Sequence, residues 1–171
     1  MTRGRQVAAA LGLTILAIVL QGALFGEGRI HPFGASPSLV AIVVIGTVRY
    51  LDAATALLVG FTGGLLADLL GGSPLGLWAM AFTVVAYVTL QVRERADDGP
   101  LVVATGVFAI TFLAYALFAV AGTLFGQDTL ADPDVVHLML LPALYTTILG
   151  AFLLPLITLL MRGRRVRGWA P

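Results

Sequence analysis

The feature that most restricts this chain is a set of long runs without charge. Residues 6–26, 69–92, 100–127 and 135–161 contain no Asp, Glu, Lys or Arg. As an α-helix, a run of about 20 apolar residues matches the roughly 30 Å hydrocarbon layer of a bilayer. Charged residues make up 11% of the 171, against about 25% in an ordinary soluble domain, so a soluble core cannot account for most of the chain. The expected fold is an all-α polytopic membrane protein in which residues 1–171 form a single six-helix transmembrane domain. No solenoid-length repeat or low-complexity tract divides it.

Hydropathy places the six helices at Val7–Phe25, Pro37 to about Tyr50, Ala53–Leu70, Pro74–Val92, Pro100–Phe125 and Pro133–Met161. The second rises only about 20 Å at helical pitch, so a re-entrant half-helix competes with a full crossing. The arginines separate the two, because cytoplasmic flanks carry the excess of basic residues. With six crossings and a cytoplasmic amino terminus, nine arginines lie inside (Arg3, Arg5, Arg49, Arg93, Arg95, Arg162, Arg164, Arg165 and Arg167) and Arg29 alone lies outside. A re-entrant second segment would leave Arg3 and Arg5 inside and eight outside. Six crossings with both termini cytoplasmic are therefore expected. The amino terminus has the basic start of a signal sequence without a convincing cleavage site, and is read as a retained anchor.

Turn chemistry supports these cuts. In "GGSP", Gly71 and Gly72 are suited to end one helix in a left-handed turn, Ser73 to cap the next, and Pro74 to occupy its first turn. The third and fourth helices should form a tight hairpin. "ADPD" repeats the device, with Asp132 as cap and Pro133 at the first helical position of a long last helix, which Pro142 and Pro155 should kink or tilt.

Inside the third helix, Asp52, Ala56, Gly60, Gly64 and Asp68 recur every four residues and trace a stripe of small residues bracketed by two acids, widened by Gly63 and Ala67. Such stripes let helix backbones approach closely where lipid supplies no hydrophobic drive for association. The stripe reads as a packing groove for another helix, of this chain or of a partner. Asp68 reads either as a hairpin acid bonding backbone amides of the "GGSP" turn or as a partner contact. A proton or ion carrier using Asp52 and Asp68 is disfavoured, because both sit near helix ends.

The remaining polar residues are read mostly as structural. Gln21, Thr62, Thr83, Tyr87, Thr111, Tyr115, Tyr145, Thr146 and Thr147 should bond one another or their own helix carbonyls. Trp78 and Trp169 fit interfacial anchors. His31 and His137 match no metal-ligand spacing, and the absence of cysteine excludes thiolate sites, disulfides and thiol nucleophiles. "RERADD" is a solvated turn, and "RGRRVR" a basic tail that enforces topology and meets anionic lipid. No catalytic constellation and no nucleic-acid-binding face is present. No enzyme activity and no cofactor are expected.

Gly60, Phe61, Gly64, Leu65 and Asp68, followed by "SPLG" ending at Gly76, resemble the central signature of the MreD family of bacterial rod shape-determining membrane proteins. The resemblance covers about residues 37–92, and Ser38 departs from the acidic or amide residue often found there. It implies a non-enzymatic scaffold subunit of the cell-elongation complex in the cytoplasmic membrane, bound to MreC. MreB, RodA and a class B penicillin-binding transpeptidase would be its wider partners, and peptidoglycan synthesis the process it helps couple to shape. An alternative of another class is a substrate-binding S-component of an energy-coupling-factor vitamin transporter, similar in length and six-helix plan. It would recruit Gln21, Tyr87 and loop 126–134 for a ligand pocket, with Ala8 and Gly12 facing a coupling subunit. A reporter fused to the carboxyl terminus should be active only in its cytoplasmic form; activity of an exported reporter would contradict the arginine assignment.

Overall fold

The computed structural model describes residues 3–25, 36–71, 73–92, 99–126, 130 and 134–162. The regular elements among them are all helices: α1 Arg3–Phe25, α2 Leu39–Val48, α3 Ala53–Gly71, α4 Leu77–Val92, α5 Pro100–Leu124 and α6 Val135–Arg162. Arg29, His31, Gly72, "RERADD", Asp132, Pro133, Trp169 and the tail after Arg162 fall outside the described residues. Four helices are long and apolar enough to cross a membrane: α1 over Gln6–Phe25, α3, α5, and α6 over Val135–Met161. The other two, α2 with 10 residues and α4 with 16, are shorter.

The position of α2 explains how so short a helix persists. All ten of its residues are buried, and it packs on α1, α3, α4 and α6, with a lighter contact to α5. A helix apolar on every side belongs inside a bundle rather than on its surface. Its length need not match a bilayer, because its neighbours rather than lipid surround it. Directions follow from the contacts. The start of α2 meets Gln21 near the end of α1, so those two run antiparallel. Ser38 meets Thr146 while Gly46 faces Leu154 and Ile157, so α2 and α6 run parallel.

Burying the start of α2 leaves amides without water, and those of Ser38, Val40 and Ala41 are served by side chains. The Ser38 hydroxyl accepts from Ala41 N at 3.2 Å with Ser38 in an extended N-cap conformation. The Gln21 carbonyl accepts from Val40 N at 3.3 Å, and the Thr146 hydroxyl accepts from Ser38 N at 2.9 Å while donating to Pro142 O at 2.6 Å. Pro37, buried beside them, has no N–H to satisfy. Serine shares with acidic and amide residues the oxygen that an N-cap needs, so its departure from the resembled pattern keeps the capping function.

Threonine hydroxyls elsewhere turn back on their own helices, as Thr14 does to Ala10 O, Thr62 to Leu58 O and Thr83 to Ala79 O. Thr111, fully buried, is an exception among the described residues, with no partner for its hydroxyl. The last helix continues through both Pro142 and Pro155.

Replacing Thr146 with Val keeps its shape but removes the acceptor for Ser38 N. A buried amide left unpaired costs about 1–3 kcal/mol, so Thr146→Val should lower unfolding stability in detergent by that amount. Thr62→Val, which removes only an exposed back-bond, should stay within about 0.5 kcal/mol.

Candidate functional site

The α3–α4 hairpin holds the residues that the sequence singled out, and its geometry begins with glycine. A Cβ on Gly64 would overlap Trp78 O and lie 2.5 Å from Ala79 N and Cα. One on Gly60 would lie 2.6 Å from Phe82 O and 2.9 Å from the Ala86 methyl. The groove in α3 is thus filled by the backbone of α4, the next helix of the same chain. Gly63 faces the other way, where a Cβ would come within 2.9 Å of the Thr14 methyl on α1. One helix therefore uses its small residues against two neighbours, and only hydrogen fits at either approach.

This close packing fixes the register that brings the start of α4 to Asp68. Asp68 is 1% exposed. One carboxylate oxygen, Oδ1, accepts from Ser73 Oγ at 2.7 Å and Trp78 N at 3.1 Å. The other, Oδ2, accepts from Gly76 N at 2.9 Å and Ala79 N at 3.2 Å. Gly76 stands at the N-cap of α4, since its carbonyl takes the first helical bond from Met80 N at 2.9 Å. It has no side chain to cap with. Asp68 supplies from α3 what an N-cap side chain would supply locally. An acid in an apolar layer costs about 2.5–3.5 kcal/mol on insertion scales. A hydrogen bond to a charged group returns about 1.5–3 kcal/mol, so four donors outweigh that cost.

Several expectations change here. The fourth helix starts at Leu77 rather than Pro74, because Ser73 donates to Asp68 instead of capping the helix. Among the described residues of the turn, the positive-φ glycine is Gly76, at +102°, whereas Gly71 closes α3 as its last helical residue. Gly76 needs that conformation to turn the chain from Pro74 and Leu75 into α4, and an L side chain would be strained there. Asp68, buried on donors of its own chain, has no exposed face to offer a partner. Asp52 is not a second acid along the stripe of α3 but precedes the helix as its cap, accepting from Thr55 N at 3.4 Å and Thr55 Oγ1 at 2.9 Å.

The other two signature residues lie outside the groove. Phe61 is 47% exposed and Leu65 half-buried, and their four-residue spacing puts them on one face of α3. Trp78 is drawn into an aromatic layer between α4 and α5, stacked on Phe118 at 4.4 Å and edge-on to Tyr115 at 5.4 Å, with Phe82 at 5.2 Å. It packs between helices as well as at their end, which revises its reading as an anchor alone. Trp78 and Ala79 were missed as site residues because their contribution is a main-chain N–H, which leaves no mark on side-chain identity.

Of the residues recruited for a vitamin pocket, Gln21 is engaged by α2, and Tyr87 stands exposed on α4 ten residues after its start. In loop 126–134, residues 127–129 and 131–133 lie outside the described residues. Among the described residues, no group of three or more His, Cys, Asp or Glu comes together.

Fold and site together define an all-helical integral membrane protein whose buried acid and small residues serve helix ends and helix approach. The chain matches the family model described as rod shape-determining protein MreD over residues 6–164, and so belongs to the MreD family. That membership supports a role in rod shape determination. No curated protein and no solved structure matched.

Asp68→Asn puts an amide NH₂ against two of the four donors. It should destabilise the purified chain by about 2–5 kcal/mol, read as a lowered unfolding midpoint. Phe61→Leu should move the midpoint by no more than about 0.5 kcal/mol.

Proposed function

We propose that this protein is a non-enzymatic scaffold subunit of the rod complex in the bacterial cytoplasmic membrane. It is a single six-span domain with both termini cytoplasmic. It binds MreC and works beside MreB, RodA and a class B penicillin-binding transpeptidase, so that wall synthesis follows cell shape. The observation that carries this reading is the family match over residues 6–164. The arginine distribution along the chain supports the orientation. In this arrangement α2 and α4 complete their crossings with flanking residues such as 36–38, 49–52 and 73–76.

The signature then divides into two parts. Gly60, Gly64, Asp68 and Gly76 lock α3 to α4, with Ser73 bonded to Asp68 and Pro74 in the connecting turn. Phe61 and Leu65 are presented outward by that locked hairpin, in a row with the exposed Leu58 and Leu69. A rigid hairpin offering an apolar row suits a partner's transmembrane helix, because association in lipid relies on packing between preformed surfaces. The MreC contact is assigned to this row.

Phe61→Ala combined with Leu65→Ala should reduce co-purification of MreC from membranes while leaving the unfolding midpoint close to that of the unaltered chain. Gly64→Leu should lose both, since its side chain meets α4 backbone. Undiminished MreC recovery with the double variant would refute the assignment of the face.

A further inference from the structure

We propose that the cavity at the Arg49 end of the bundle binds one anionic membrane phospholipid, its acyl chain in the cavity and its headgroup phosphate on Arg49. The cavity, of about 530 Å³, lies where the end of α2, the end of α4, the first turns of α5 and the last third of α6 meet. Its size falls in the roughly 300–1,000 Å³ range of small-molecule sites.

The lining selects the ligand class. Ile45, Val88, Val92, Val107 and Leu154 make walls that are almost wholly apolar. Two of the threonines there are committed to their own helices, Thr89 to Val85 O and Thr105 to Leu101 O, so they do little to orient a polar solute. Among the described residues, the ionisable one in the lining is Arg49, whose guanidinium carbon lies 5.6 Å from the Tyr50 ring centre. Arginine carries five N–H donors in a fork suited to phosphate.

A second source of positive potential lies on the same lining. The first turn of α5 contributes Leu101 and Val102, and its N-cap, Gly99, brings no side-chain cap. Amides at a helix start favour an anion. Apolar walls with a cation and a helix start fit an amphiphile bearing a long chain and a negative group. In a chain read as embedded in a membrane, anionic phospholipid is the amphiphile at hand. The interior is also open to occupation, since a Cβ on Gly106, which lines it, would meet nothing within 4 Å.

The test uses the full chain purified in neutral detergent and titrated with phosphatidylglycerol or phosphatidylcholine, bound lipid being read by native mass spectrometry and protection by the unfolding midpoint. Phosphatidylglycerol should bind about tenfold more tightly and raise the midpoint further, while inorganic phosphate alone should do neither. Equal behaviour of the two lipids, or protection by phosphate alone, overturns the proposal on the unaltered protein, with no variant needed. Arg49→Gln should abolish the preference, and Gly106→Leu, which fills the cavity, should weaken both lipids about tenfold. A preference that survives Arg49→Gln, or binding unchanged by Gly106→Leu, would equally overturn it.

Discussion

A backbone amide that starts a helix inside an apolar bundle has no water to bond, and two helices of this protein start there. Hydrocarbon imposes this on any chain it surrounds: polar backbone groups must be satisfied from within the protein. The long helices meet the requirement along their length. The two short ones, α2 and α4, meet it by importing acceptors. At α2 these are Ser38, Gln21 and Thr146, drawn from its own cap, from α1 and from α6. At α4 the acceptor is Asp68 of α3.

Glycine and acid therefore act as one device in the hairpin. Without hydrogen at positions 60 and 64, the backbones of α3 and α4 could not approach closely enough for a side chain as short as aspartate to reach three amides of the next helix. Without the acid, the close approach would bury those amides unpaired. Gln21 and Thr146 do the corresponding work at α2, tying α1 and α6 to the central helix at nearly one level. The result is a frame whose polar chemistry is turned inward. What remains outside is mostly apolar: Leu58 and Phe61 on α3, Phe152 and Leu159 on α6. Such a surface suits the packing role proposed for the protein in its complex.

The helices were legible because charge-free runs are bounded by prolines, glycines and arginines. Pro100 opens α5 where expected, and α3 runs within a residue of its predicted bounds. The stripe Gly60–Gly64–Asp68 was legible as a stripe, since helical spacing follows from sequence. What fills it was not, because spacing says which residues share a face and nothing about the neighbour. The start of α4 was misplaced by three residues for a related reason. Ser73 and Pro74 look like a local cap, while the acceptor actually used lies 8 to 11 residues back in sequence from the amides it serves. The pair Ser38–Thr146 spans 108 residues, a distance over which residue preferences carry no signal.

The central claim is that Asp68 caps α4 from across the hairpin, and amide hydrogen exchange of the chain in detergent micelles tests it most directly. The amides of Gly76, Trp78 and Ala79 should be protected in the unaltered protein and exchange rapidly in Asp68→Ala, while amides in the middle of α5 keep their protection. Equal protection of those three amides with and without the aspartate would contradict the account.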